Sequence, residues 1–404
     1  MSYMFYNCNE LISLDLTNLN TISAIYMNHM FDSCMNLKYL NIDNFITNKV
    51  EESQYMFRDC ESLTSLDVSK FNMPINREMA LMFYNCKSLT SLDVSNFNAQ
   101  KVKNMANMFQ ACSLLTSLNL TTFSSEELML MGHIFGWCSN LETIEFGPNF
   151  KTNSLAYMDG MFRDCTNLKS LNLISFNTEN ALIINDIFHG CKSLTSLDIS
   201  NFRTNNCENF NSMFNGCSKL TSLDLSNFDT SKVTNMERMF KDCSLLESLD
   251  LSNFNTGLNT NMNEMFMGCS ELKSLNLINF DTSKVTIMSH LFDGCSSLES
   301  LDLSSFNTNL NNYMNDMFSG CTKLKSLDLS QFDTSNVVDM SNCFKGCNDL
   351  EYLNINNFDT QLVQSMASMF CDCSSLLSLN LSHFNTQSLE DISFMFKDCK
   401  LLES

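Results

Sequence analysis

The chain has 404 residues, 44% of them hydrophobic, and carries 45 acidic against 24 basic side chains for a net charge of −21. That balance excludes a nucleic-acid binder, which needs a basic footprint to displace counterions, and it disfavours docking on anionic membranes. The sequence shows no run of ~18 apolar residues, no basic-then-apolar leader and no lipidation motif, so no membrane insertion is expected within it.

From the first residues onward the chain repeats itself. Sixteen cysteines fall at one place in a repeating unit: Cys8, Cys34, Cys60, Cys86, Cys112, Cys138, Cys165, Cys191, Cys217, Cys243, Cys269, Cys295, Cys321, Cys347, Cys373 and Cys399. Fourteen of the spacings are 26 residues and one, Cys138 to Cys165, is 27. A period of this size held over the whole chain predicts a solenoid. The chain has only 2 Pro and 11 Gly and no linker rich in either, so residues 1–404 read as a single domain of about fifteen repeats.

The clearest unit runs from Leu223 to Cys243, LDLSNFDTSKVTNMERMFKDC. Its first part, with Leu223 and Leu225 alternating with polar residues, predicts a short strand. Asp229 to Ser231 supplies turn formers and a helix N-cap hydroxyl. Val233, Met236, Met239, Phe240 and Cys243 then fall on one face of a helix. The expected fold class is therefore an α/β repeat solenoid, with a parallel β-sheet on one face and short helices or helical turns on the other. No single repeat buries its own Leu, Met and Phe face, so stacked neighbours must form one continuous core.

This pattern, L-x-x-L-x-L-x-x-F followed by M-F-x-x-C, resembles the BspA-like leucine-rich repeats of bacterial and some protist surface proteins, in a 26-residue variant. The segments Leu197–Cys217, Leu223–Cys243, Leu301–Cys321 and Leu327–Cys347 carry it well. The resemblance covers essentially the whole chain. It implies a cell-surface or secreted protein that recognises or adheres to a protein partner, a host or matrix protein if surface-exposed, with no cofactor and no catalytic residues to carry over. An intracellular scaffold or spacer, where repeat number sets length and no face is specific, is the other reading. The chain starts inside one unit and stops before the next strand, without polar caps, which is expected of a fragment.

Several residues invite a functional reading. In S-L-D-L-S the two Leu point inward, so the Ser, Asp and Ser point outward together. The central column holds nine acidic residues among fifteen, and in the run Asp198, Asp224, Asp250 no Asn intervenes. Like charges about 4.8 Å apart repel, so a raised pKa at Asp224 or a bound divalent cation is expected there. A solvated acidic face that only confers solubility is the plainer alternative. Tyr39 and Tyr352 replace the first Ser of the trio, and Ile174 and Ile278 the last. Large side chains on a polar surface are candidate interface anchors, although scattered exposed apolar residues are also normal. The irregular stretch Phe135–Phe150 holds the only Trp, Trp137, the Gly147–Pro148 pair and the extra residue. A local bulge is expected there, with Trp137 a candidate contact or a packing residue.

The column cysteines read as buried thiols, with cross-repeat disulfides the alternative; zinc is disfavoured because stacked thiols lie in a line. Cys343 takes a core Met position, whereas Cys207 and Cys371 fall off the column and are candidates for exposed, reactive thiols. The Met columns read as core filling. Catalysis has little support. His29, His133, His189, His290 and His383 lie in different repeats, and no phosphate loop, nucleophile elbow or zinc helix motif is present.

Overall fold

Short parallel pairings repeated once per period organise the chain. The structure is a computed structural model and describes residues 1–403. It divides into two compact units, Met1–Asn206 and Cys207–Ser404. In the first unit β1 (Ser13–Asp15) pairs with β2 (Tyr39–Asn41), and β3 (Ser117–Leu120) with β4 (Thr143–Phe146). In the second, β5 (Ser248–Asp250) pairs with β6 (Ser274–Asn276), and β7 (Ser326–Asp328) with β8 (Tyr352–Asn354). Every pair is parallel with partners 26 residues apart, as Leu249 with Leu275, so each period is one coil of a solenoid. A second line of parallel bridges runs along another edge: Tyr26, Glu52, Glu78 and Asn104 in the first unit, Asn235, Asn261 and Ile287 in the second.

The helical face expected from the apolar spacing does not form; among the described residues there is no helix. The backbone shows why. Ser53, Tyr55, Phe57 and Asp59 donate their N–H groups to Glu78, Ala80, Met82 and Tyr84 of the next coil, at 2.8–3.0 Å. The intervening Met56, Arg58 and Cys60 close turns onto Ser53, Tyr55 and Phe57, at 3.2–3.3 Å. Alternate amides therefore point along the solenoid, whereas a helix would turn all of them onto its own carbonyls. Two residues per coil sit in the left-handed region, as Tyr55 (φ 61°) and Asp59 (φ 56°) do, and an α-helix does not accommodate them. Turns of three residues bring Met56, Phe57 and Cys60 to the inside, and so reproduce the spacing of a helical face.

The expected N-cap hydroxyl has a different task. Thr230 is 1% exposed; its hydroxyl donates to the carbonyl of Asn255 at 2.9 Å and accepts that residue's N–H at 2.7 Å. The same two-bond clasp joins Thr47 to Asn72 and Thr178 to Arg203 in the first unit, and Thr282 to Asn307 and Thr360 to Asn385 in the second. Buried main-chain groups must be paired, and this column pairs them where no strand does.

The core is a set of side-chain columns. Phe31, Phe57, Phe83 and Phe109 stack face to face at 5.4–5.7 Å in the first unit; Phe240, Phe266, Phe292 and Phe318 stack at 5.6–5.7 Å in the second. Burying each ring stabilises its coil by about 1.5–3 kcal/mol. The cysteine column is buried from Cys34 to Cys373 and part-exposed at Cys8 and Cys399, and its thiols are free apart from hydrogen bonds: Cys60 Sγ lies 3.3 Å from the Phe31 carbonyl and Cys269 Sγ 3.1 Å from that of Phe240. Cys343 is buried as expected. Cys207 and Cys371 are not the exposed thiols expected of them: Cys207 fills a Val position in the core and Cys371 is also buried.

The irregular stretch resolves into one widened turn after β4. Gly147, Pro148 and Asn149 span what two residues span elsewhere. Glycine is required at the first of these, because a Cβ on Gly147 would lie 2.3 Å from the Thr121 carbonyl oxygen.

Candidate functional site

Strand pleating sets the chemistry of the outward face. In β3, β5 and β7 the Leu positions are buried, while the flanking Ser and Asp or Asn stand in solvent. Each central aspartate accepts the N–H of the residue two positions on, as Ser200 to Asp198 at 3.1 Å, Ser226 to Asp224 at 2.9 Å and Ser252 to Asp250 at 3.0 Å. These bonds close the turn that ends the strand. The Ser200 hydroxyl and N–H hold Asp198 below the usual carboxylate range, and the N–H and hydroxyl of Ser252 do so for Asp250. The crowding expected to raise Asp224 thus does not govern the aspartates before and after it in the sequence. Asn positions relieve repulsion directly, as Asn276 donates its amide to Asp250 at 3.0 Å.

The four large side chains singled out on this face are among the most exposed in the protein: Ile174 at 78%, Tyr39 and Ile278 at 65%, Tyr352 at 57%. In the first unit Tyr39 of β2 lines a hollow of about 370 Å³ with Asp15, Asp43 and Asp67. Ile174 and Asp198 lie in the same unit outside that hollow. In the second unit Ile278 sits two residues beyond Asn276, the residue bonded to Asp250, and Tyr352 of β8 pairs with Ser326 of β7. Trp137 is not on the strand face. It is part-exposed in the turn before Cys138, with His133 stacked on it at 5.6 Å and the Arg163 guanidinium 5.3 Å from its ring.

Charged clusters on the turn side escaped the sequence reading. Asp32, fully buried, is held by His29 at 2.6 Å and Arg58 at 2.8 Å, and the His29 ring lies between Tyr3 and Tyr55 at 4.5 and 4.4 Å. Glu264 accepts a two-pronged bond from Arg238 at 2.7 and 3.0 Å and another from Lys241. Among the described residues, one group has metal-ligand spacing: His290, Asp293 and Asp316. There the Asp293 carboxylate, 3.0 Å from one ring nitrogen, raises the imidazole pKa, and Asp316 stands 3.7 Å from the other. When protonated, the ring is itself a cation between two carboxylates. The signal for these clusters was the column three residues after the bridge residue, where His29, Arg238, Glu264, His290 and Asp316 recur at one place in the period.

A coil of one short strand and successive turns, with Leu, Phe and Cys columns, defines a leucine-rich-repeat solenoid without helices. The chain belongs to the family described as "Mycoplasma protein of unknown function, DUF285", whose pattern matches residues 1–123, 103–223, 129–254, 208–326 and 312–404. Its repeats are those of the BspA-like class. Solved structures with a similar chain course include a leucine-rich repeat protein from Bacteroides ovatus, 17% identical, covering 94% of this chain and 80% of that one, with a TM-score of 0.43. A leucine-rich cell surface protein from Faecalibacterium prausnitzii is 15% identical, covers 85% of this chain and 82% of its own, and has a TM-score of 0.39. A leucine-rich repeat protein from Eubacterium ventriosum is 18% identical, covers 72% and 78%, and has a TM-score of 0.37. No curated protein matches the sequence. Among the described residues no helix is long and apolar enough to cross a membrane.

Proposed function

We propose that the protein is a non-enzymatic recognition solenoid, displayed at the cell surface or secreted, that binds a protein partner through its strand face. The observation that carries this is Tyr39. Its ring is 65% exposed in a hollow whose other side chains include Asp15, Asp43 and Asp67. An aromatic side chain ringed by carboxylates suits a basic segment of a partner: the ring supplies buried area and cation–π attraction, and the acids supply steering. Tyr352, Ile174 and Ile278 extend the same chemistry along the face of each unit. A localisation on the surface follows the BspA-like class and is the part of the reading to test first.

Protease shaving of intact and lysed source cells, followed by detection of the repeat, separates a surface protein from an intracellular spacer; cleavage on intact cells is the expected result. Binding to a panel of extracellular matrix and host surface proteins is then measured with the wild type and with Tyr39→Ser/Asp67→Asn. Binding that survives this change, together with Ser at positions 174, 278 and 352, removes the strand face as the site.

A further inference from the structure

A second surface, distinct from the Tyr39 hollow, lies along the turns that follow the strands in the first unit. It is an open trough of about 920 Å³ walled by successive coils from Ser69 to Lys151. Every side chain lining it is polar; none is aromatic or aliphatic. Among the described residues the side-chain amides of Asn72, Asn98, Gln100 and Asn149 have no hydrogen-bond partner.

The threonine clasp fails at this place and resumes after it. Thr47 clasps Asn72, and Thr152 clasps Asn177. Between them the clasp position holds Met73, Ala99 and Ser125. Met73 and Ala99 have no hydroxyl, and Ser125 turns its own back to the Val102 carbonyl at 2.6 Å. The main-chain N–H and C=O of Asn98, Ser124 and Lys151, which the clasp would pair, have no protein partner among the described residues. All three residues line the trough. The widened turn at Gly147–Asn149 forms one end of its wall, with Asn149 in the lining.

We propose that this trough binds an oligosaccharide. With no ring to stack on, it does not suit nucleobases, and with no apolar pocket it offers a protein partner no buried anchor. The residues that line it lie in turns and loops, and its free main-chain groups come one set per coil rather than along a strand, so an extended peptide finds no strand edge to extend. What the trough does offer is a row of groups that each donate and accept, repeated coil by coil. Sugar hydroxyls also donate and accept, and they recur along a glycan chain. The ammonium of Lys151 and the carboxylate of Glu126 at the same wall leave neutral, acidic and amino sugars to be told apart by experiment.

The full-length chain, carrying an epitope tag, is incubated on an array of immobilised neutral, uronic-acid-bearing and amino-sugar oligosaccharides. Saturable retention on at least one class is expected, and the class retained identifies the source. Asn98→Ala/Gln100→Ala, which touches no hydrogen bond within the fold, should weaken binding about tenfold with an unchanged melting temperature. Ala99→Thr restores the clasp on Ser124; it should raise the melting temperature and weaken binding severalfold. Absence of retention on every class overturns the proposal, as does retention that both variants leave intact. Capture of an extended peptide from a random display library, lost in Asn98→Ala/Gln100→Ala with no sugar retained, also overturns it and makes the trough a peptide groove.

Discussion

The hydroxyl of Thr230 holds both main-chain groups of Asn255, donating to its carbonyl at 2.9 Å and accepting its N–H at 2.7 Å. One buried side chain thereby does between two coils what a strand pairing does elsewhere. Thr230→Val keeps the shape and removes both bonds, leaving a buried N–H and C=O unpaired. We expect a loss of about 2–4 kcal/mol in urea unfolding, with Thr230→Ser losing less than half of that. Equal stability of the wild type and the Val variant would show that the clasp contributes nothing.

Glu264 joins Arg238 and Lys241 across neighbouring coils. The two-pronged Arg238 bond pulls its carboxyl down to about 2, from an ordinary value of 4.5. A depressed folded pKa gives stability that is present above pH 4.5 and is lost as the pH falls toward 2. Glu264→Gln should remove this contribution, on the order of 1–2 kcal/mol after screening of a part-exposed network, at pH 7 and leave little difference at pH 2. Thermal melts of both proteins across that range check it.

The repeat, the core columns and the outward Ser–Asp–Ser trio were legible because side-chain character recurs with the backbone. Cys60, Leu63 and Phe71 must be inside if neighbours stack, and they are buried. The helix was misread because Val233, Met236, Met239 and Phe240 satisfy turns of three as well as turns of 3.6 residues. A discriminating signal was present in the residue before most column cysteines, Ser33, Ala111 and Trp137 being the exceptions. It is Asp59, Asn85, Asp164 and Asp242 in some coils and Gly190, Gly268, Gly294 and Gly346 in others, the residue types that accept a positive φ. The clasp was invisible for another reason: Thr230 is an ordinary turn residue until its partner 25 positions on is known. For the site, Tyr39 and Ile174 were found as breaks in a polar column, but a hollow such as that around Tyr39 depends on how the coils stack.

Gly320 tests the reading of that left-handed column. Its φ is +69°, and a Cβ placed there would meet only the Gly294 backbone, at 3.4 Å. Space is therefore sufficient and backbone conformation decides. Gly320→Asn should cost under about 1 kcal/mol, because Asn tolerates this region, whereas Gly320→Val should cost about 2 kcal/mol or more. Chemical denaturation of the two variants gives the comparison, and similar losses in both would mean that packing governs the position instead.

The cysteine column makes the fold sensitive to alkali. Burial pushes the thiols of Cys138 and Cys269 up to about 12 and that of Cys34 to about 11, from an ordinary 9.0. A raised folded pKa means stability that is intact below pH 9 and lost as the pH climbs above it, because only the unfolded chain can then release the proton. Each such thiol takes about 1.4 kcal/mol per pH unit from the fold, so a column of them should unfold the chain cooperatively within roughly one unit above pH 9. Circular dichroism during an alkaline titration reads this directly. Replacing Cys138 and Cys269 by Ala should move the transition to higher pH, relative to each protein's own stability at pH 7. Pulse alkylation at pH 8 gives the matching map. Cys8 and Cys399, the two part-exposed thiols, should be modified first, and Cys207 and Cys371 late with the rest of the core. Early modification of Cys207 would place it outside the packed column and break the link between burial and alkaline unfolding.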